Sequence, residues 1–386
     1  MAPASRGAQG HCVVDPLRTI EVVAERRLEQ AASSCDCAPT QRPRSLMREV
    51  RARDSTLPRW GRAVIFRAMR FAILGSGGVG GFFGAKLVRA GHDVTFLARG
   101  AHLRAMREHG LTIHGAEGDF TVAVKADDDV QRFGPVDVVV LAVKNYDVAS
   151  VLPAVKTLLS ARGAPAPGET PPFVLTLQNG VDSPSEVAAA VGEAAVLGGT
   201  TYISTAISEP GVITQTGTNH RIVLGEVFGD TSRISDRAQS LRDALAGAGI
   251  TVEAVADARG ALWDKLSFLA CMSAFSTASR LPVGALRDNP AFREVFRQAA
   301  AEVLSVAAAE GITTTRTPDA LVQYMDGLPA HMRPSMLGDL ENGKPLEVEY
   351  LQGSVVRRGR ARGVPTPVMS TLYVLLQPHA QGERKA

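Results

Sequence analysis

No stretch of the chain approaches the roughly 20 uncharged apolar residues that a membrane-spanning helix requires, so no membrane partner is expected. Cysteine is equally scarce, with four in 386 residues. Cys12, Cys35 and Cys37 fall near the start and Cys271 stands alone in an apolar stretch, which leaves no disulfide framework. Cys35 and Cys37 have neither a second pair nor a histidine at zinc-finger spacing, and no metal site is expected. A strong charge of one sign is also missing. The total is +3, and residues 1–68 alone, with twelve arginines, no lysine and seven acids, carry +5, leaving −2 for the rest. Basicity confined to one segment does not imply nucleic acid as a partner.

What is present is the composition of an ordinary globular protein, 45% hydrophobic and 21% charged. A soluble, cytoplasmic protein of two domains is expected, because 386 residues exceed one ordinary domain. Residues 1–68 mix Pro, Ser and Arg without clean periodicity and read as a low-order extension. An arginine-rich targeting leader is the other reading; seven acids and the lack of an amphipathic face stand against it. Met69 reads as a natural start, because a strand follows it at once.

From Met69 the sequence runs RFAILGSGGVGGFFGAKLVRAGHDVTFLAR, an apolar strand, a glycine turn, a helix of small residues and a second strand. Gly75 permits the tight turn, Gly77 lets backbone approach a pyrophosphate, and Gly80 lets helix and strand pack closely. The position between strand and helix gives the glycine pattern its weight. Where an NAD-specific unit would place an acid, the second strand ends in Arg99. A guanidinium can pair with a 2′-phosphate that an acid would repel, so NADP is preferred over NAD. The alternative is a solvated loop arginine. FAD and S-adenosylmethionine rank lower, because their ribose hydroxyls also recruit an acid there.

Further strands are expected at 136–143, 173–177, 195–203 and 221–225, giving a doubly wound Rossmann-type α/β sheet over 69–256. Ligands lie beyond the carboxyl ends of such strands, where Lys144 ends LAVK and Asn179 ends LTLQN. Each has a bland alternative, a surface lysine or an Asn-Gly turn. From 257 to 380 helical segments dominate, at 290–310, 320–325 and 346–362, and an all-α second domain is expected there.

Taken together, the GSGGVG turn, Arg99, the LAVK with Lys144, the LQNG with Asn179, the WDKL with Lys265, and the PSML and LEVEYLQG segments resemble the ketopantoate reductase (2-dehydropantoate 2-reductase) family over roughly 69–376. The resemblance implies a Rossmann domain, a helical domain and an active site between them, reducing 2-dehydropantoate to pantoate with NADP(H) on the route to pantothenate and coenzyme A. It implies Lys265 and Glu347 as catalytic positions, and Asn179, Ser335 and Asp339 as substrate-binding positions. Gly75, Gly77, Gly80, Arg99, Lys144, Asn179 and Glu347 fall on the cofactor side. A small oxo acid is the expected partner, and a homodimer is left open.

The chemistry is coherent on its own terms. Reducing a ketone develops negative charge on its oxygen, which a positioned ammonium stabilises and then protonates. Asn179 can fix the carbonyl, Glu347 can accept from a substrate hydroxyl, and Ser335 can hold a carboxylate. The chain departs from the family pattern where asparagines are common, with Leu269 four residues after Lys265 and Ser273 four further on. Leu269 offers no hydrogen bond, which opens the alternative of a more apolar oxo acid. A protein that senses NADP(H) without catalysis is the other alternative; it would have no use for Lys265.

Overall fold

The computed structural model describes residues 68–382 apart from 164, 165 and 167. The extension proposed for 1–68, with Cys12, Cys35 and Cys37, therefore lies outside the described residues except for Ala68.

The first half alternates strand and helix. β1 (Arg70–Leu74), α1 (Gly78–Arg89), β2 (Asp93–Leu97) and α2 (Gly100–His109) lead to β3 (Leu111–His114), β4 (Phe120–Val122) and β5 (Lys125–Asp127). Then come β6 (Val138–Leu141), α3 (Val148–Ser160), β7 (Phe173–Thr176), α4 (Ser183–Val191), β8 (Val196–Glu209), β9 (Val212–Glu226), α5 (Asp236–Gly247) and β10 (Thr251–Asp257). They form one sheet in the order β4-β3-β9-β8-β7-β6-β1-β2-β5, with β10 also on β9. From β5 through β8 every neighbouring pair is parallel, and the β8–β9 and β3–β4 pairs are antiparallel. Strand order reverses between β1 and β6, so the fold has its topological switch point, and hence its expected ligand crevice, at the carboxyl ends of those two strands.

The continuous apolar runs of β1, β6 and β7 follow from burial on both faces. Ala72, Leu74, Val139, Leu141 and Val174 face one core, while Phe71, Ile73, Val138, Val140, Phe173 and Leu175 face the other. The second core is closed by α1, α2 and α5; the first continues without interruption into the helical half. That half contains α6 (Ala258–Ser279), α7 (Val283–Arg287), α8 (Pro290–Ala309), α9 (Pro318–Asp326), α10 (Ser335–Glu341), α11 (Gln352–Arg362) and α12 (Pro367–Leu376). α6 is buried around most of its circumference and packs against α8, α10, α12, β8 and β9.

Three boundaries differ from the sequence reading. The strands expected at 195–203 and 221–225 are the inner ends of a long hairpin, β8 and β9, joined by Pro210-Gly211 with Gly211 at φ +80. Most of its outer residues are exposed and many are polar, which hides their strand character from a hydrophobic pattern. The helix expected over 346–362 is broken: Glu347–Glu349 form a single 3-10 turn, Leu351 sits at φ −101 and ψ −81, and α11 begins at Gln352. β2 stops at Leu97, and Arg99 becomes the N-cap of α2.

Candidate active site

The glycine turn closes β1. Gly75 adopts φ +103, and a Cβ there would lie 2.5 Å from the Val143 nitrogen, so the β1 and β6 ends meet only because the side chain is missing. A Cβ on Gly80 would lie 2.2 Å from the Gly75 carbonyl oxygen, which forces glycine where α1 crosses the turn. Gly77 is different: a Cβ there would meet nothing within 4 Å. It borders open space at the first turn of α1, which carries no acid. Unpaired amides at a helix start, an open approach and no opposing charge suit a pyrophosphate. Arg99, the N-cap of α2 two residues past β2, stands exposed with no ion pair among the described residues. The residues present thus fit a dinucleotide.

Beyond the ends of β6 and β7 the two halves of the chain meet. The Lys265 ammonium, two turns into α6, donates to Asn179 Oδ1 at 2.8 Å and to the Thr201 carbonyl at 2.6 Å. The Tyr202 ring lies 5.8 Å from it. Burial pushes the Lys265 pKa down to about 8, opposed only in part by the nearby Glu347 charge. It makes no ion pair among the described residues, so the shift from burial persists.

Glu347, 5% exposed, is held from the sheet side. Its Oε1 accepts from the Asn145 backbone N–H at 3.2 Å and from Asn145 Nδ2 at 2.8 Å. Its Oε2 accepts from Asn179 Nδ2 and from Lys144 Nζ, both at 3.4 Å. Lys144 donates more closely to Asp339 Oδ2, at 2.9 Å. Burial disfavours the Lys144 charge, but Glu347 and Asp339 outweigh it and hold its pKa above the ordinary lysine range.

The break before α11 brings Glu347 here. Gly180, at φ +92, would place a Cβ 2.8 Å from the Tyr350 carbonyl oxygen, so the Asn179-Gly180 turn abuts the broken segment. A second cross-link flanks the first: Asp182 accepts from Ser354 at 2.9 Å and from Arg358 at 2.7 Å, and Arg358 also reaches Glu310.

Of the expected site residues, Lys265, Asn179, Glu347, Lys144 and Asp339 therefore come together, while Gly75, Gly77 and Gly80 form the turn between β1 and α1 and Arg99 caps α2. β7, which leads to Asn179, and β1, which leads to Gly75, lie two strand spacings or about 10 Å apart. Ser335 is not brought in: it is exposed at the start of α10 and bonds to none of the cluster. Ser273 also faces elsewhere. It is 1% exposed, donates to the Leu269 carbonyl and accepts from Gln352 Nε2 at 3.2 Å, so it joins α6 to α11 inside the core. Leu269 is partly buried, one turn of α6 beyond Lys265.

Sequence reasoning missed Asn145 and the Thr201 carbonyl. Asn145 is 1% exposed and also donates to the Asn179 carbonyl at 2.8 Å, yet a polar residue after Lys144 looks like any turn. Cys271 is buried, which raises its pKa and keeps the thiol neutral. Among the described residues no helix is long and apolar enough to cross a membrane, and no group of three His, Cys, Asp or Glu is arranged to hold a metal ion.

A glycine turn that fits a dinucleotide at the end of β1, and an ammonium beyond the ends of β6 and β7, are equipment that suits a dinucleotide-dependent oxidoreductase. Comparison with known proteins specifies which. Residues 71–229 match the model for "Ketopantoate reductase PanE/ApbA", and 257–380 match the model for its C-terminal part. A 2-dehydropantoate 2-reductase of Archaeoglobus fulgidus is 31% identical over 81% of this chain and 98% of its own. The uncharacterized oxidoreductase YkpB of Bacillus subtilis is 28% identical over 80% and 98%. Among solved structures, 2-dehydropantoate 2-reductase from Geobacter metallireducens superposes with a TM-score of 0.73 at 28% identity, covering 80% of this chain and 99% of that one. The chain belongs to the ketopantoate reductase family.

Proposed function

We propose that the chain reduces a 2-oxo acid, 2-dehydropantoate foremost, to the 2-hydroxy acid with NADPH. The observation that carries this is the Lys265 ammonium, partly buried, held between Asn179 Oδ1 and the Thr201 carbonyl, free of any ion pair among the described residues, with its pKa lowered to about 8. NADPH, when bound, supplies the hydride. Gly75, Gly77 and Gly80 shape the turn for its pyrophosphate, and Arg99 pairs with its 2′-phosphate. Lys265 stabilises the charge that develops on the ketone oxygen and donates the proton, an effect of about 10²–10⁴-fold in rate for a positioned acid. Asn179 orients that ammonium through Oδ1. Glu347, steadied by Asn145, takes a hydrogen bond from a substrate hydroxyl. Lys144 and Asp339 pair across the cleft and hold its two sides in register. Ser335 contributes its hydroxyl to the substrate carboxylate only after moving toward the cluster.

This reading keeps the division into a dinucleotide-binding part at 69–256 and a helical part at 257–380, and a role on the route to pantothenate in the cytoplasm. A second reading, a more apolar oxo acid, is favoured by Leu269, which puts an aliphatic side chain one turn from Lys265. The test is cofactor oxidation by the purified full chain across a panel of oxo acids, with NADPH and NADH in parallel. Turnover of 2-dehydropantoate with NADPH preferred supports the first reading. Turnover of bulkier apolar oxo acids alone supports the second, and no turnover of any oxo acid defeats both.

A further inference from the structure

The glycine turn is braced by a residue that none of its own motif includes. His102, in the first turn of α2, is partly buried, with its Nε2 3.0 Å from the Ser76 carbonyl oxygen. Its Nδ1 lies 3.0 Å from the Gly211 backbone N–H, in the turn of the β8–β9 hairpin. A carbonyl only accepts and an amide N–H only donates, so the two contacts together fix one tautomer: Nε2 carries the proton and Nδ1 carries the lone pair. Burial further disfavours the charged ring, outweighing the bond to Ser76, and a neutral imidazole is what both contacts need.

The bracing bears directly on the ligand side of the turn. Ser76 is 6% exposed, and its carbonyl belongs to the same planar trans peptide as the Gly77 N–H. Fixing the carbonyl on His102 therefore aims the Gly77 N–H the opposite way. That N–H has no acceptor among the described residues, and Gly77 borders open space. The far anchor is rigid as well. Gly211 is buried, its carbonyl accepts from Thr112 N–H at 2.9 Å, and a Cβ on it would lie 2.9 Å from the Ala105 Cβ of α2. A chain of contacts thus runs from the hairpin turn through the imidazole to the peptide that faces the crevice.

We propose that His102 is a positioning residue for the dinucleotide, orienting the Ser76–Gly77 peptide so that its N–H is preset for the pyrophosphate. The inference rests on the reading that this turn receives NADPH, and its test separates the two. Binding to the full chain is followed by NADPH fluorescence, and by competition with 2′-AMP, which has the adenosine 2′-phosphate but no pyrophosphate. His102→Leu weakens NADPH by about tenfold or more, the scale of one lost hydrogen bond, and leaves 2′-AMP within about twofold. His102→Gln, with a donor and an acceptor on one planar terminus, recovers most of the NADPH affinity. His102→Phe replaces the leucine variant if that variant does not fold. Unchanged NADPH binding in the apolar variant, equal weakening of NADPH and 2′-AMP, or no recovery with glutamine overturns the inference alone. Failure of the unaltered chain to bind NADPH overturns the cofactor reading and the inference together.

Discussion

At the scale of single residues the proposed reduction depends on the protonation of one group. Lys265 must carry its proton to donate it, and burial brings its pKa down to about 8, so kcat/KM for reduction falls as pH rises through that value. Glu347 works in the opposite sense, because its charge raises the Lys265 pKa. Glu347→Gln therefore moves the alkaline limb of the pH–rate profile to lower pH, and a limb that stays in place or moves upward would remove Lys265 as the titrating acid. Lys265→Ala abolishes most turnover while NADPH affinity, read by fluorescence, stays within a few-fold. Lys265, Asn179 and Glu347 were legible in the sequence because each sits in a short motif whose neighbours repeat a family pattern. Asn145 was not legible, since its importance arises only when Glu347, 202 positions away, folds against it. Thr201 contributes a backbone carbonyl, which every residue has and no sequence marks.

At the scale of elements, the βαβ start and the glycine turn were fully legible, because strand, turn and helix are contiguous there. The two glycines that border the turn on opposite sides separate packing from binding. Gly80→Ala drives a Cβ into the Gly75 carbonyl and should cost about 1–3 kcal/mol, seen as a lower Tm, with NADPH affinity lost as well. Gly77→Ala, at φ −70 and facing open space, should keep the Tm and weaken only NADPH. Equal Tm losses in the two variants would contradict this division. The outer part of the β8–β9 hairpin and the break at Leu351 escaped the sequence. Many of the exposed hairpin residues there are polar, and the break lies where the Asn179-Gly180 turn presses on Tyr350, a contact between distant segments.

For the whole molecule, sheet half and helical half are tied on both flanks of the cluster, by Glu347 and Asp339 on one side and Asp182 on the other. Asp182→Ala removes the acceptor shared by Ser354 and Arg358 while Glu310 still holds Arg358. Amide hydrogen exchange should then quicken at α11 and the start of α4 and stay unchanged in α1; uniform exchange in the variant would mean that the cross-link carries no weight. The shared core has a further result. Leu262, Trp263 and Leu266 of the helical half lie in the same apolar cluster as Leu74, Val139 and Val174 of the sheet. A polypeptide begun at Ala258 would present those side chains to water and precipitate rather than stand as a separable module. Gene fusions or truncations that split the two regions should therefore be rescued only by supplying the missing partner in the same cell.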